Sequence, residues 1–488
     1  MARVSNIHRH ILLHAIDHWG HNKPLIAFAV RIAEARDDVS ITLLTTVVMY
    51  AKIKGELSKL REDQIARIEP RINIINLSEN REDIIAPLPE FNAAFDALWR
   101  SKPLVCLTST RTVGGLPPPC VAVIDSFAGY AVDAIRQSAG NRIAILLWRT
   151  SPAGSILRHN GPSKYGGLGD QHSTQALRCS GELVQIPGAP PMFDYEWHPQ
   201  EVYRLTQLGD LWQQAQENIR NTDGVLNVSC SAYEENAISA AREWYESIGK
   251  VWYSVGPLSI PPRIDNFREK EAQFLDKMAE QFGDRSVIYI AFGSIPWQTV
   301  PDKLWPAIDV FIAHGVPFLL ANASRVAPEK RQMILESGIG LAVEWANQEQ
   351  ILAHHATGWF ITHGGWNSIQ EALIHRVPLI FWPNHSDQPY NAAMVTLKHE
   401  AGFELLSIRR ESSGIPYRSH TGVVEIPSFT FEGVKQEITS LLTKLRTVEG
   451  SRIRANFEVV GQRINAAWDN GNESRHEFGL FLKSFVDN

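Results

Sequence analysis

The run FITHGGWNSIQEAL, residues 360 to 373, carries the side chains best suited to chemistry. A strand-like stretch, Trp359 to Ile361, breaks into His363, Gly364, Gly365, Trp366, Asn367 and Ser368, then resumes with helical spacing through Ile369, Ala372 and Leu373. A helix start leaves four backbone N–H groups without partners and carries about half a positive charge. That suits an anion, above all a phosphate. The glycines would let it approach the backbone, while Asn367, Ser368 and His363 could donate hydrogen bonds. The same residues also read as a plain helix cap, with Glu371 three residues after Ser368 completing a capping box. Taken alone, the stretch does not separate the two. Neither GxGxxG nor GxxxxGK[ST] is present here, so dinucleotide and P-loop chemistry are not indicated.

Holding such groups in place takes strands that feed helices. Residues 10–16, 39–46, 120–125 and 142–148 read as strands, with helices over 25–35 and 130–137. A loose region follows at 155–181. Proline keeps IPGAPPMFDYEWHP, 186–199, out of regular structure. A helical stretch near 200–219 and a strand at 224–230 come next. GPLSIPPRIDNFR, from 256 to 268, is the best linker, and beyond it strands at 286–294, 317–322, 340–345, 358–362 and 378–383 alternate with helix-like sequence. This alternation predicts an α/β protein of two successive parallel-sheet halves with helices on both faces. Ligands of such sheets sit beyond the carboxyl ends of the strands.

The 488 residues suffice for two or three domains. A net charge of -6 gives no basic patch for phosphate neutralisation, so nucleic acid is not an expected partner. Cys106, Cys120, Cys179 and Cys230 have no metal-ligand spacing and imply no disulfide framework. His354, His355 and His363 read as helix-end residues, and no metal is expected. The amino-terminal apolar run is too short for a signal peptide, and no stretch is long enough to span a membrane. A cytoplasmic, monomeric protein is the expectation.

From Trp345 to Gln388, 44 residues inclusive, the sequence resembles the donor-binding signature of the UDP-dependent glycosyltransferases, which glycosylate small lipophilic molecules on the GT-B fold. Trp345, Gln348, His363, Gly365, Trp366, Asn367, Ser368, Glu371, Pro378, Pro383, Asp387 and Gln388 fall at the family's spacing. SVIYIAFGS, DGVLNVSC, VGPL and IPGAPP are similar to weaker family landmarks, whereas about 45–115 and 155–180 offer little to compare. The resemblance implies two Rossmann-like, doubly wound parallel-sheet domains facing across a cleft. An acceptor domain would span 1–255, a linker 256–275 and a nucleotide-sugar domain 276–465. Residues 466–488 would form a helix packing back on the first domain.

By that resemblance Trp345 stacks on uracil with Gln348 beside it, and Glu371 accepts hydrogen bonds from the ribose hydroxyls. His363, Asn367, Ser368 and Ser294 hold the diphosphate, with Gly365 in the turn. Trp366, Asp387 and Gln388 meet the sugar, and the closing glutamine is similar to the glucose-preferring form, making UDP-glucose the co-substrate with no further cofactor. Transfer to an alcohol needs a base. Gly20-His21-Asn22-Lys23-Pro24 matches the family's GHxxP pattern, which makes His21 the base and Asp125 its orienting carboxylate. His18 on the same loop is the rival base, and Asp17 the rival carboxylate. Transfer would then be a single inverting displacement giving a β-glucoside.

Two departures bear on local geometry: Asn347 replaces a proline usual after Trp-Ala, and Arg376 stands where a glycine commonly ends the helix. Phe91, Phe127, Trp148, Phe193 and Trp197 could line an apolar acceptor pocket for a phenolic, terpenoid or lipid alcohol, or could be ordinary core. An epimerase-like enzyme and a non-catalytic UDP-sugar-binding protein are the other classes the same fold serves.

Overall fold

Apolar runs that do not alternate with polar residues need cover on both faces. The computed structural model describes residues 7–79, 86–170, 179–200, 205–260, 269–293, 301–321, 326–411, 414–420 and 426–487, the side chains of 205–208 and 301 excepted. Within it, such runs form two wholly parallel sheets. The first contains β1 (Arg9–His14), β2 (Val39–Thr45), β3 (Ile72–Asn76), β4 (Val121–Asp125), β5 (Ala144–Arg149), β6 (Gly224–Asn227) and β7 (Val251–Ser254). Its order is β7-β6-β5-β4-β1-β2-β3. The second contains β8 (Val287–Ala291), β9 (Phe318–Leu320), β10 (Gly340–Ala342), β11 (Thr357–Thr362), β12 (Leu379–Phe381) and β13 (Gly402–Glu404). Its order is β10-β9-β8-β11-β12-β13.

Successive side chains of one strand enter opposite cores. Ile11 and Leu13 of β1 pack into one cluster and Leu12 into another; Ile288 and Ile290 of β8 part in the same way from Tyr289 and Ala291. The cluster holding Leu12 also holds Tyr289, so a single apolar core runs from one sheet to the other. Tyr233 against Trp366 (ring centroids 4.6 Å) and Trp197 against Tyr390 (6.0 Å) lie on that seam. The α/β class and the doubly wound arrangement agree with the sequence pattern.

The differences are local. Helix α1 (Trp19–Ala35) begins six residues before the predicted Leu25. The region predicted as loose opens with a helix over Ala153–Asn160, whose Ile156 and Leu157 are buried. β3, β7 and β13, of three to five residues, carry too little pattern to stand out. The proline-rich 186–199 stretch holds a two-residue strand at Met192–Phe193 and a 3₁₀ turn at Asp194–Trp197.

Three further helices matter below: α2 (Trp366–His375), α3 (Val448–Asn465) and α4 (Glu473–Phe485). α4 lies on the first sheet's side, with Phe478 and Phe481 5.8 and 5.5 Å from the Phe28 ring of α1. Burying each such side chain contributes roughly 1.5–3 kcal/mol. Among the described residues no helix is long and apolar enough to cross a membrane.

Candidate functional site

Each sheet has one point where its strand order reverses, and a crevice opens there beyond the carboxyl ends of the strands. In the first sheet the reversal falls between β1 and β4. The chain leaving β1 turns at Asp17 and His18 into α1, which carries His21 in its first turn. Asn22 fixes this turn, its amide donating to the Ile16 and His18 carbonyls at 2.7 and 3.0 Å. β4 ends on Asp125, which is fully buried. Its Oδ2 accepts from His21 Nδ1 at 2.6 Å, and its Oδ1 from the Phe127 amide at 2.9 Å. Burial works to raise the Asp125 carboxyl, but the His21 imidazole and these hydrogen bonds hold it below the ordinary aspartate value. A carboxylate bound to Nδ1 orients the ring and leaves Nε2 to take a proton.

The two rivals are placed differently. Burial, aided by His21, lowers the His18 pKa to about 3, and neither ring nitrogen has a hydrogen-bond partner among the described residues. A group so reluctant to charge is a poor base at neutral pH. Asp17 accepts from Thr46 Oγ1 at 2.6 Å and so ties β1's exit to β2's.

In the second sheet the reversal falls between β8 and β11. β11 runs into His363, turns at Gly364 (φ 85°) and enters α2 at Trp366. A Cβ at Gly293 or Gly365 would stand 2.7 or 2.5 Å from His363 Nε2, so both glycines make room for the imidazole. Burial lowers His363 to about 4, which keeps it neutral. The capping box does not form: the residue before the helix is Gly365, with no side chain to cap, and Ser368 and Glu371 lie inside α2. Among the described residues the start of α2 therefore has no side-chain cap of its own, and Trp366 N donates instead to Asp387 Oδ2 at 3.2 Å.

Contacts between the halves join the two crevices. Proline has no N–H, so Pro24 cannot donate to the Gly20 carbonyl four residues earlier in α1. Asn367 Nδ2 takes that vacancy at 2.7 Å. One turn along, Lys23 Nζ lies 2.6 Å from Glu371 Oε1 and 3.0 Å from Glu349 Oε2, the three side chains being 8%, 8% and 2% exposed. Lys59 also pairs with Glu349, at 2.7 Å. Removing Lys23 would strand buried carboxylates, a change that typically costs about 3–5 kcal/mol. Gln348 Nε2 donates to Glu371 Oε2 at 2.7 Å and to Ser368 Oγ at 3.2 Å.

Of the remaining residues singled out, Trp345 is 46% exposed, with Lys52 5.9 Å from its ring. Burial pushes Asp387 up to about 6 against the pull of Asn391 and Trp366 N. Gln388 Oε1 accepts from the Asn384 and His385 amides at 2.9 and 3.3 Å. The Trp366 indole is buried, and its N–H binds the Val228 carbonyl across the seam. Ser294 lies outside the described residues.

The aromatic candidates divide, and three are corrected. Phe91 and Trp148 are fully buried and Trp197 is 2% exposed. Phe91 packs on His14 and Tyr130, and Trp197 stacks on Tyr390 at the seam. Trp148 packs on Phe28 and donates its indole N–H to the His21 carbonyl at 3.1 Å, supporting that turn from beneath. None of the three lines an open surface. Phe127, 5.7 Å from the His21 ring, and Phe193, stacked on Tyr195, stay partly exposed. Neither Lys23 nor Glu349 is legible in the sequence as a site residue. Lys23 stands in a variable position of GHxxP, and nothing local pairs it with a residue 348 positions away.

The family model described as UDP-glucoronosyl and UDP-glucosyl transferase matches residues 266–413. The chain is similar to the UDP-glycosyltransferase eriJ of Hericium erinaceus, 28% identical over 99% of this chain and all of that one. It is 25% identical to UDP-glycosyltransferase 71D1 of Arabidopsis thaliana over 96% of each chain. Among solved structures it is similar to Medicago truncatula UGT71G1 complexed with UDP-glucose, with TM-score 0.72 and 20% identity, covering 99% of this chain and all of that one. It is also similar to Phytolacca americana UGT2 complexed with UDP-2fluoro-glucose and pterostilbene (TM-score 0.68, 19% identity, 98% and 99% covered).

Proposed function

Because the chain belongs to the UDP-glycosyltransferases of the GT-B fold, we propose that it moves glucose from UDP-glucose to a hydroxyl of a small lipophilic acceptor, with inversion at the anomeric carbon. One observation carries this reading. A His21–Asp125 pair at one sheet's crevice lies across from the start of α2 at the other's, with Asn367 and Gly20 in contact between them.

His21 Nε2 takes the acceptor proton, and Asp125 stabilises the imidazolium that forms. The acceptor oxygen attacks the anomeric carbon from the face opposite UDP. The first amides and the dipole of α2 stabilise charge gathering on the departing diphosphate, assisted by His363, Asn367 and Ser368. Trp345 offers uracil an exposed aromatic face, Gln348 lies beside the base, and Glu371 receives the ribose hydroxyls. Asp387 and Gln388 meet the sugar. Phe127, beside His21, is the aromatic best placed to touch the acceptor. Residues 1–255 then serve the acceptor and 276–465 the donor. The glucose donor and aromatic acceptor draw support from the UDP-glucose of the Medicago structure and the pterostilbene of the Phytolacca one.

The test is incubation with UDP-glucose and a panel of phenols and terpenoid alcohols, following UDP release and product mass. Release that requires acceptor, with a β-linked product by NMR coupling, is expected. Release without acceptor would indicate hydrolysis or elimination, and tight UDP binding without turnover would indicate a sensor.

A further inference from the structure

Lys23 lies two residues past the proposed base on α1, yet its ammonium leaves its own half of the molecule. It bridges Glu371 and Glu349, which belong to the second half. The groups facing this bridge are few. Gln348 donates to Glu371, and the Tyr289 hydroxyl lies 3.4 Å from Gln348 Oε1. Lys59 pairs with Glu349 and Glu56, and the charges of Glu349 and Lys23 both reach His375. Three carboxylates thus share two ammonium groups.

We propose that Lys23 is a positioning residue for the donor: it keeps Glu371 ionised and aimed at the two ribose hydroxyls, and through α1 it sets that ribose at a fixed distance from His21. This rests on the reading of Glu371 as the ribose acceptor given above. A ribose diol offers two donors, which a carboxylate accepts together and a protonated acid does not. The ammonium on Oε1 and the Gln348 amide on Oε2 leave each oxygen further acceptor capacity. Burial pushes Glu371 above the ordinary carboxylate range and the Glu349 charge adds to this; Lys23 is the largest influence opposing them. Burial also works against the charge of Lys23, but Glu371, Glu349 and Glu56 hold it protonated. Without Lys23 the balance at Glu371 tips toward the neutral acid.

The experiment compares UDP with 2′,3′-dideoxy-UDP, by calorimetry on the full chain, so that titration of the phosphates cancels in the ratio of affinities. Only ionised Glu371 receives both hydroxyls, so the preference for UDP must fall as pH falls through its raised pKa. In the wild type the ratio should stay level from about pH 6.5 to about pH 9. In Lys23→Met it should drop by about tenfold at the acid end and recover at the alkaline end. Lys23→Arg should restore the level profile. The pair Lys23→Met with Glu349→Gln keeps the net charge of the site and serves if the single variant does not fold; it should show the same trend, weaker. A pH-independent ratio in both Met variants would overturn the proposal and leave Lys23 as a mere tie between the halves. A wild type that does not prefer UDP over the dideoxy analogue would instead overturn the ribose role of Glu371.

Discussion

The two sheets reverse their strand order in the same way, yet the crevices that result are furnished by opposite means. At the first, His21 and Asp125 arrive from elements 104 residues apart and meet as one hydrogen-bonded pair. At the second, one continuous strand, turn and helix supplies His363 through Glu371. The difference follows from the chemistry proposed for each. Proton transfer needs two groups of unlike protonation, and separate strand ends hold them apart until the fold joins them. Anion binding needs a row of aligned amides, and a single helix start already has one. Topology supplies the two places; side-chain chemistry decides how many elements must reach each.

That contrast can be broken by disabling one crevice and reading the other. His21→Ala should lower kcat by roughly 10²–10⁴-fold, the usual worth of a general base. Titration should still find UDP affinity within about twofold of wild type, and a collapse of UDP binding would show that the crevices are not separable. Asp125→Asn should lower kcat by about 10²-fold, since an amide carries no charge to stabilise the imidazolium; steady-state kinetics should leave the KM for UDP-glucose nearly unmoved. Trp345→Ala works on the other side. Loss of an aromatic platform worth about 1 kcal/mol should weaken UDP roughly fivefold while kcat holds. A fall in kcat with unchanged affinity would place this ring elsewhere in the cycle. The smallest effect concerns framework alone. Arg376 closes α2 in the left-handed region (φ 58°), which costs a residue with a Cβ about 1 kcal/mol. Arg376→Gly should raise the thermal midpoint slightly and leave kinetics untouched.

The same contrast explains what could be read from sequence. The donor-side box is contiguous, so its residues stay together in the fold and their spacing is visible as a motif. β1, β2, β4, β5 and β11 are mostly apolar, with turn residues after them, and each is legible as a strand. The start of α1 did not, because Pro24 marks a helix beginning unless a distant Asn367 takes up the carbonyl that proline leaves idle. The bridge from Lys23 to Glu371 was equally hidden, since charge pairing over such a separation has no periodicity. Phe91, Trp148 and Trp197 failed as pocket residues for a third reason: an aromatic ring looks the same in sequence whether a neighbour or a ligand covers it.

The chain passes between the halves twice, once after β7 and again after α3, and the two passages are sewn together. Trp468 donates to the Pro257 carbonyl at 2.7 Å, Ser474 reaches the Gly256 carbonyl, and Arg31 stacks 3.7 Å above the Trp468 ring. Two bodies joined along a double seam can swing like a book on its spine but resist sliding past one another. On the proposed function, admission of a bulky nucleotide calls for a rocking motion about that spine, which brings His21 back to the same register each time the covers close.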